Sequence, residues 1–298
     1  MRKLLFICLV VCWPVVSFAQ GNNGARFPLS RLTDTSNYVM IIAHRGDWRN
    51  APENSLQAFQ NCIDAGFDGI EIDVQETKDG EIVIMHDATV NRTTNGRGKV
   101  SDLTLAEIKA LRLKSGINTQ TRQQVPTLEE VLRLCKGKVL LHIDKWQPVR
   151  EKVLAIARKV DCLNQLIFRS TMPSARMKEL FGEDINKINY IPVVTAGTDK
   201  SNEQLNDYLE NTNAAVIGIA FSNDKDPILD RIPEIKKKGI RVWFNSLVGQ
   251  KFNDGHDDEL ATTDLENSYG WLLKKGADAI MTDRPFLLLD YLEKNNRR

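Results

Sequence analysis

The chain has 298 residues, of which 42% are hydrophobic and 27% are charged. This is a soluble, globular composition with ample apolar material for a core, and the length fits either one large α/β barrel or two ordinary domains. The formal net charge is only +1, so the chain has no marked excess of basic residues. This argues against binding to nucleic acid or to an anionic membrane surface.

The N-terminus has the charged, apolar and small-residue order of a secretory signal. Arg2 and Lys3 precede the apolar run 4–16, which is too short to span a bilayer after export. We therefore expect residues 1–19 to be cleaved off. The mature protein would then be periplasmic or extracellular and would have no stable membrane anchor. Residues 20–36 are polar, which predicts a loose leader.

Three cysteines, Cys62, Cys135 and Cys162, remain in the predicted mature chain. They are odd in number and widely spaced, and each falls in a predicted amphipathic helix. We therefore expect buried free thiols rather than a disulfide framework. No cluster of cysteine and histidine suggests a zinc site.

From Tyr38 onward, short β-branched runs alternate with longer amphipathic stretches, a pattern typical of βα units. Strands are predicted over residues 39–44, 69–74, 138–144, 166–169, 188–193, 215–221, 240–245 and 278–282. Helices are predicted over residues 54–65, 127–135, 148–160, 173–181, 201–211, 228–238, 264–275 and 285–294. Eight units favour a single (β/α)8 TIM barrel over residues 37–298. A doubly wound sheet is the alternative, but it usually needs a Gly-rich first turn.

Two segments fall outside the eight units. A ninth strand-like run covers residues 82–87, and residues 88–125 form an irregular insert with one short helix near 105–111. The insert is polar and rich in Thr, Asn and Gly. The predicted barrel therefore carries a β-hairpin and a small insert after its second strand.

The Asp79-Gly80 pair predicts a two-residue hairpin loop, since Asp-Gly is a strong short hairpin signal. Such a loop makes Lys78 face Glu81, and the same register makes Asp73 face His86. Residues that face each other across an antiparallel ladder point to the same side of the sheet. A bulge would shift this register by one residue.

Three carboxylates, Glu71, Asp73 and Asp144, lie near the carboxyl ends of predicted strands, where barrel active sites form. Oxygen ligands suit Ca²⁺ or Mg²⁺, so we expect one divalent cation here. Without a cation, the three carboxylates would repel one another and raise their pKa values.

His44 ends the first predicted strand, and His86 lies on the hairpin. Near neutral pH, two histidines can serve as the base for a nucleophile and the acid for a leaving alkoxide, but the sequence does not say which is which. Arg45 can hold a phosphate bidentately, or it can form a salt bridge at the barrel mouth. Together with the carboxylates, these residues predict metal-assisted cleavage of a phosphodiester.

These residues resemble the glycerophosphodiester phosphodiesterase family. The matching motifs are His44-Arg45-Gly46, Pro52-Glu53-Asn54-Ser55, Gly69 to Val74, Thr77 to Gly80, His86-Asp87, Arg92 to Gly96, Trp243, Asn245 and Gly276 to Pro285. The resemblance implies a TIM barrel that hydrolyses glycerophosphodiesters to an alcohol and glycerol 3-phosphate with Ca²⁺ or Mg²⁺. It assigns the paired histidines to His44 and His86, the phosphate arginine to Arg45, and two metal ligands to Glu71 and Asp73.

The fourth family motif is altered here. The family commonly has Glu-x-Lys, whereas this chain has Asp144-Lys145-Trp146. Asp144 can still be the third ligand. Lys145 would point away from Asp144 on a regular strand, and it could reach the phosphate only if the strand has already ended.

Two further residues have open roles. Trp243 has the same inward parity as Asn245, and it could pack against a glycerol or headgroup or simply cap the barrel core. Glu53 could touch the metal or the substrate, or it could merely precede a helix that Asn54 or Ser55 caps.

The sequence therefore predicts an exported, metal-dependent phosphodiesterase with a small-molecule glycerophosphodiester substrate and an undetermined oligomeric state. A phospholipase-type enzyme that cuts intact phospholipid or phosphoinositide headgroups is one alternative, although the polar insert disfavours it. A non-catalytic phosphodiester-binding barrel would lack one of the two histidines. A metal-dependent amidohydrolase usually has His-x-His on its first strand, where this chain has His44-Arg45-Gly46.

Overall fold

The computed structural model describes residues 29–34, 36–248 and 253–298. Within these ranges the strands are β1 (Met40–Ala43), β2 (Gly69–Glu76), β3 (Ile82–Ile84), β4 (Leu140–Asp144), β5 (Leu166–Ser170), β6 (Asn189–Thr195), β7 (Val216–Ala220), β8 (Arg241–Asn245) and β9 (Ala279–Thr282). All except β3 run parallel, and β1 pairs with both β2 and β9. The sheet is therefore a closed eight-stranded barrel, which confirms the TIM-barrel prediction and excludes a doubly wound sheet.

The α-helices of the same ranges alternate with the strands. They are α1 (Leu29–Leu32), α2 (Leu56–Asp64), α3 (Leu105–Ala110), α4 (Leu128–Cys135), α5 (Arg150–Val160), α6 (Ser174–Phe181), α7 (Ser201–Asn211), α8 (Ile232–Lys237), α9 (Trp271–Lys274, after a π-helical turn at Glu266–Gly270) and α10 (Pro285–Lys294). None of these described helices has the length and apolarity needed to cross a membrane.

The strands form where the sequence is apolar on both faces, because a parallel barrel strand packs inward on the barrel core and outward on a helix. β1 is buried at every position. The helices begin at recognisable caps, such as Thr127 before α4, whose hydroxyl accepts from the Glu130 amide in a capping box. Local sequence thus sets each element, and their regular alternation closes the barrel.

The predicted hairpin between β2 and β3 exists, but its predicted register is wrong. Thr77 pairs with Glu81, and the Thr77 amide donates to the Glu81 carbonyl at 2.9 Å. Gly80 takes a left-handed conformation, with φ +84°, so the loop has three residues instead of two. This one-residue shift places Asp73 opposite Met85, whose amide donates to the Asp73 carbonyl at 2.9 Å. His86 therefore does not face Asp73 across the ladder.

The predicted loose leader, residues 20–36, is ordered at its C-terminal end. In α1, Leu32 is only 5% exposed and packs against the lower barrel core, which includes Met40. Arg31 pairs with Asp68, and Arg241 donates to the Arg31 carbonyl. This short helix closes the bottom of the barrel. The predicted signal, residues 1–19, lies outside the described residues and stays a prediction.

The insert after β3 has a small core of its own beside the barrel mouth. Its helix α3 nearly matches the predicted one. The buried apolar residues of this core are Val83, Met85, Val90, Val100, Ile108, Leu113 and Val125. The three cysteines are buried and free, as expected, although Cys162 follows α5 instead of lying in it.

Candidate active site

The three predicted metal ligands meet at the barrel mouth. Glu71 and Asp73 point inward from β2, and Asp144 is the last residue of β4, in register with Asp73. The nearest carboxylate oxygens of the three residues all lie within 4.8 Å of one another. Burial, together with the negative charges of Asp73 and Asp144, raises the pKa of Glu71 well above its ordinary value. The cluster therefore concentrates negative charge that a bound cation would relieve.

Two cationic side chains lie against this cluster. The Lys145 Nζ donates to Asp73 Oδ1 at 2.8 Å and also to the His86 carbonyl, and the Arg45 Nε lies 3.5 Å from Asp73 Oδ2. Burial acts to raise the pKa of Asp73, but Lys145 and Arg45 outweigh it and hold that pKa below its ordinary value. The mouth therefore holds fixed positive charge beside the carboxylates.

The question of whether Lys145 reaches the site is answered by the backbone. β4 ends at Asp144, and Lys145 takes a left-handed conformation with φ +58°. Such a residue no longer follows the in-and-out alternation of a strand, so its side chain turns back over the mouth. The structure thus brings Lys145 to the site by the route that the sequence left open.

His44 is held in one orientation by carboxylates. Its Nδ1 lies 2.8 Å from Asp283 Oδ1, which also accepts a hydrogen bond from the Trp48 Nε1 at 2.8 Å. Since a carboxylate only accepts, the His44 Nδ1 carries the proton. The His44 Nε2 then points into the site, 3.8 Å from Glu71 Oε2.

His86 has a similar arrangement at the other side of the mouth. Its Nδ1 lies 2.8 Å from Asp87 Oδ1, and the Asp87 carboxylate accepts two hydrogen bonds from Arg92. Those bonds hold the pKa of Asp87 far below its ordinary value, although burial opposes them. His86 lies beyond the end of β3 at Ile84. The direction of its side chain is therefore not set by the hairpin register, and the side chain reaches the site although the observed register differs from the predicted one.

Both histidines line one cavity at the barrel mouth. The cavity has a volume of about 430 Å³ and is also lined by Arg45, Glu71 and Asp144. His142, one layer below Asp144, lies at its inner end, and burial lowers the pKa of His142 well below its ordinary value. His142 is therefore neutral at ordinary pH.

Glu53 contacts the cationic groups of the site and not the carboxylate cluster. Its two oxygens accept from the Arg92 guanidinium at 2.6 and 2.8 Å, and Oε1 lies 3.4 Å from the Arg45 Nη1. The neighbouring Asn54 donates to Asp73 Oδ2 at 2.9 Å, while the Ser55 hydroxyl caps α2. This segment therefore orients Arg45 and Asp73 from outside the cavity.

Trp243 lies beneath the cavity. Its side chain is fully buried, its ring packs edge-on against His142, and its Nε1 donates to Asn245 Oδ1 at 2.9 Å. Of the two roles open for Trp243, this position corresponds to the barrel core, because no face of the ring borders the cavity.

Sequence reasoning gave no role to two carboxylates that support His44. Asp283 accepts from His44, and its own amide donates to Asp258 Oδ2 at 2.6 Å. Asp258 is buried and also accepts from the hydroxyls of Tyr269 and Thr282. The position of Asp283 directly after β9 indicates the barrel mouth but not its role, whereas Asp258 lies in a loop and had no recognisable signal.

The comparisons with known proteins agree with this geometry. Residues 44–287 match the profile of the Glycerophosphoryl diester phosphodiesterase family. A glycerophosphodiester phosphodiesterase of Caldanaerobacter subterraneus is 50% identical over 106 residues, which are 35% of this chain but only 43% of that protein. The chain thus matches less than half the length of this relative.

Two solved structures have the same fold. A glycerophosphoryl diester phosphodiesterase from Parabacteroides distasonis superimposes with a TM-score of 0.73 at 24% identity, over 90% of this chain and 91% of that one. An Oleispira antarctica phosphodiesterase, solved in complex with the product sn-glycerol-3-phosphate, gives a TM-score of 0.61 at 24% identity, over 86% and 97%. Because the family profile matches most of the chain, the resemblance is confirmed: this protein belongs to the glycerophosphoryl diester phosphodiesterase family.

Proposed function

We propose that this protein hydrolyses glycerophosphodiesters to an alcohol and glycerol 3-phosphate. One observation carries the proposal: His44 and His86, each held through Nδ1 by a carboxylate, line the same cavity as Glu71 and Asp144 of the three-carboxylate cluster. Family membership supports it, as does the glycerol 3-phosphate bound in the structure of the Oleispira antarctica protein.

We propose that Glu71, Asp73 and Asp144 hold one divalent cation, Ca²⁺ or Mg²⁺. The donor set fits such a hard cation, because it offers carboxylate oxygens alone. Glu71 is also buried and is repelled by the negative charges of Asp73 and Asp144, which a cation would neutralise. When bound, the cation would neutralise negative charge on the phosphate oxygens.

The protein's own side chains would carry out the proton transfers. Arg45 and Lys145 would hold the phosphate by charge-assisted hydrogen bonds. Since Asp283 and Asp87 keep a proton on each Nδ1, both histidines work through Nε2. One Nε2 takes the proton of the nucleophile, which is water or the neighbouring glycerol hydroxyl of the substrate, and the other protonates the leaving alkoxide. If the glycerol hydroxyl attacks, a cyclic phosphate forms first, and water then opens it to glycerol 3-phosphate.

The test is turnover of a panel of glycerophosphodiesters with choline, ethanolamine, glycerol or inositol as the alcohol. We expect His44→Ala and His86→Ala each to lose about 10²- to 10⁴-fold in kcat, which is the usual contribution of a general acid or base. We also expect EDTA to abolish activity and added Ca²⁺ or Mg²⁺ to restore it. Full turnover in both histidine variants would contradict the acid–base roles, and activity that EDTA does not affect would contradict the metal.

Export is a separate proposal that the N-terminal residue order supports. We propose that residues 1–19 direct the chain out of the cytoplasm and are then removed. Cell fractionation followed by N-terminal sequencing would test it. A mature protein that is found in the cytoplasm and keeps residues 1–19 would contradict it.

A further inference from the structure

An arginine that the proposed catalysis does not use lies on the floor of the same cavity. Arg169 points inward from β5 and lines the cavity with Thr195 and Asn245. Its Nη1 donates to Asn245 Oδ1 at 3.1 Å. The guanidinium also lies over the ring of Trp243, with Cζ 4.7 Å from the ring centroid. The side chain is thus held in place below the open part of the cavity.

Gly218 on β7 provides the space for this guanidinium. A Cβ atom at position 218 would lie 3.0 Å from the Arg169 Nη2 and 3.1 Å from a methyl group of Val193. Any other residue would make contacts closer than ordinary ones, so the Arg169 guanidinium or the Val193 side chain would have to shift. The amide of Asn245, the Trp243 ring and the bare backbone of Gly218 together form a fitted site for one charged group.

In the part of the chain that the structure describes, the charge of Arg169 is not paired directly with a carboxylate, although Asp144 and Glu71 lie in the same cavity. Within the described residues it forms no ion pair with a carboxylate, and its buried Nε has no hydrogen-bond partner. By contrast, Arg45 and Lys145 both lie against Asp73. Burial lowers the pKa of Arg169 to about 10, although the negative charges of Asp144 and Glu71 oppose this shift, so the side chain is still charged at neutral pH. A buried charge without a direct ion pair is costly, and an oxyanion bound in the cavity would supply that pair.

We propose that Arg169 binds an oxyanion of the substrate at the cavity floor and thereby selects substrates by their charge. A planar guanidinium that lines a cavity suits phosphate or carboxylate oxygens. The identity of the ligand as a phosphodiester rests on the proposed function. The oxyanion is either the reacting phosphoryl group or a second anionic group on the alcohol, such as a carboxylate.

Binding measured without turnover tests this directly. We expect Arg169→Gln to weaken the binding of inorganic phosphate and glycerol 3-phosphate about 10- to 100-fold in isothermal titration at fixed Mg²⁺, because a charged hydrogen bond is lost. Arg176→Gln, on the outer helix α6, is the matched control and should leave binding unchanged. Equal affinity in the wild type and Arg169→Gln, together with an unchanged KM for glycerophosphoserine, would overturn the proposal.

Two further variants separate ligand binding from a structural role. Arg169→Met removes a buried charge that has no direct ion pair, so the Tm of the ligand-free protein should stay the same or rise while phosphate binding falls. Gly218→Ala keeps the charge but crowds the guanidinium, and it should also weaken phosphate binding. A large fall in Tm for Arg169→Met, with phosphate binding unchanged in Gly218→Ala, would show that Arg169 serves only the fold.

The turnover of two substrates then identifies the oxyanion. If Arg169→Gln raises KM equally for glycerophosphocholine and glycerophosphoserine, Arg169 binds the reacting phosphoryl group. If KM rises only for glycerophosphoserine, Arg169 binds a second anion on the alcohol. Unchanged KM for both substrates would overturn the role in selection. A further outcome is that the wild type cleaves neither diester, while Arg169→Gln still binds phosphate more weakly than the wild type does. In that case the proposed function fails and this inference stands.

Discussion

The two histidines of the candidate site differ in how their carboxylate partners are held. Asp283, the partner of His44, is fixed by a hydrogen bond from Trp48 and by a hydrogen bond from its own backbone amide to the Asp258 carboxylate. Asp87, the partner of His86, is exposed to a greater extent and is held by an arginine from the insert. A fixed partner sets both the tautomer and the ring orientation of a histidine, so its removal should affect proton transfer more than substrate binding.

Asp283→Asn is expected to lower kcat by about 10²- to 10⁴-fold, because the amide can donate to Nδ1 and favour the wrong tautomer of His44. KM should change little, since Asp283 does not line the cavity. Steady-state kinetics on the best substrate of the panel would measure both constants. Asp290→Asn, an exposed residue on α10, is the control, and an unchanged kcat for Asp283→Asn would contradict the orienting role.

The raised pKa of Glu71 predicts how stability depends on pH when no cation is present. The folded state raises this pKa above the ordinary value of 4.5. Protonation of Glu71 therefore stabilises the folded protein, and this effect is complete below about pH 4.5. It is lost as pH rises through the raised pKa. At neutral pH in EDTA, Glu71→Gln should therefore have a higher Tm than the wild type, and added Mg²⁺ or Ca²⁺ should raise the Tm of the wild type more than that of the variant.

Thermal unfolding at several pH values, with EDTA or with added cation, would measure this effect. Glu76→Gln is a matched control, since Glu76 lies on the same strand but is partly exposed and pairs with Lys152. A lower Tm for Glu71→Gln than for the wild type in EDTA at neutral pH would contradict the assigned repulsion.

At the scale of single elements, strand ends decide what reaches the site. β3 ends two residues before His86, and β4 ends directly before Lys145. Past these ends, side chains no longer alternate between the two faces of the sheet. The alternation of side chains therefore predicts the direction of a side chain less well at the end of a strand than in its middle. His86 lines the cavity and Lys145 contacts Asp73 because the backbone turns at these strand ends.

Gly80→Ala tests the hairpin turn. Gly80 has φ +84°, and a left-handed conformation costs a residue with a side chain about 1–2 kcal/mol. The variant should lose that amount of unfolding free energy in urea. Gly116→Ala is the control, because a Cβ there meets its nearest atom at an ordinary 3.7 Å. Equal losses in the two variants would contradict the assigned turn.

At the scale of the whole molecule, the barrel has a polar mouth and an apolar bottom. The mouth carries the carboxylates and histidines, whereas the bottom is filled by the cluster around Leu32 and Met40. Arg241 connects the bottom to the chain segments around it, donating to the carbonyls of Tyr38 and Asp278. The residues that stabilise the fold are therefore separated from those that line the cavity.

Leu32→Ala should lower the unfolding free energy by about 2–5 kcal/mol, the usual cost of truncating a buried leucine, while kcat and KM stay unchanged. Urea unfolding and steady-state kinetics would measure the two effects. Leu56→Ala is the matched control, since Leu56 is 37% exposed. A loss of stability no larger than in this control would contradict the packing of α1 under the barrel.

Much of the molecule was predictable from local patterns. Each predicted barrel strand overlaps an observed one, because apolar runs and amphipathic periods depend on residues that are close in sequence. Glu71, Asp73 and Asp144 could be placed together because the carboxyl ends of parallel barrel strands share one mouth. The hairpin register failed because one glycine with positive φ added a residue to the loop.

The sequence by itself determined the barrel, the polar set at its mouth and the family resemblance, since all three follow from short-range patterns and motifs. Only the tertiary structure decided which groups meet across the barrel. His44 and Asp283 are 239 residues apart in sequence, and Arg169 and Asn245 are 76 apart. Contacts of that kind depend on how distant strands close around one axis and on where each strand ends, and no local period records either.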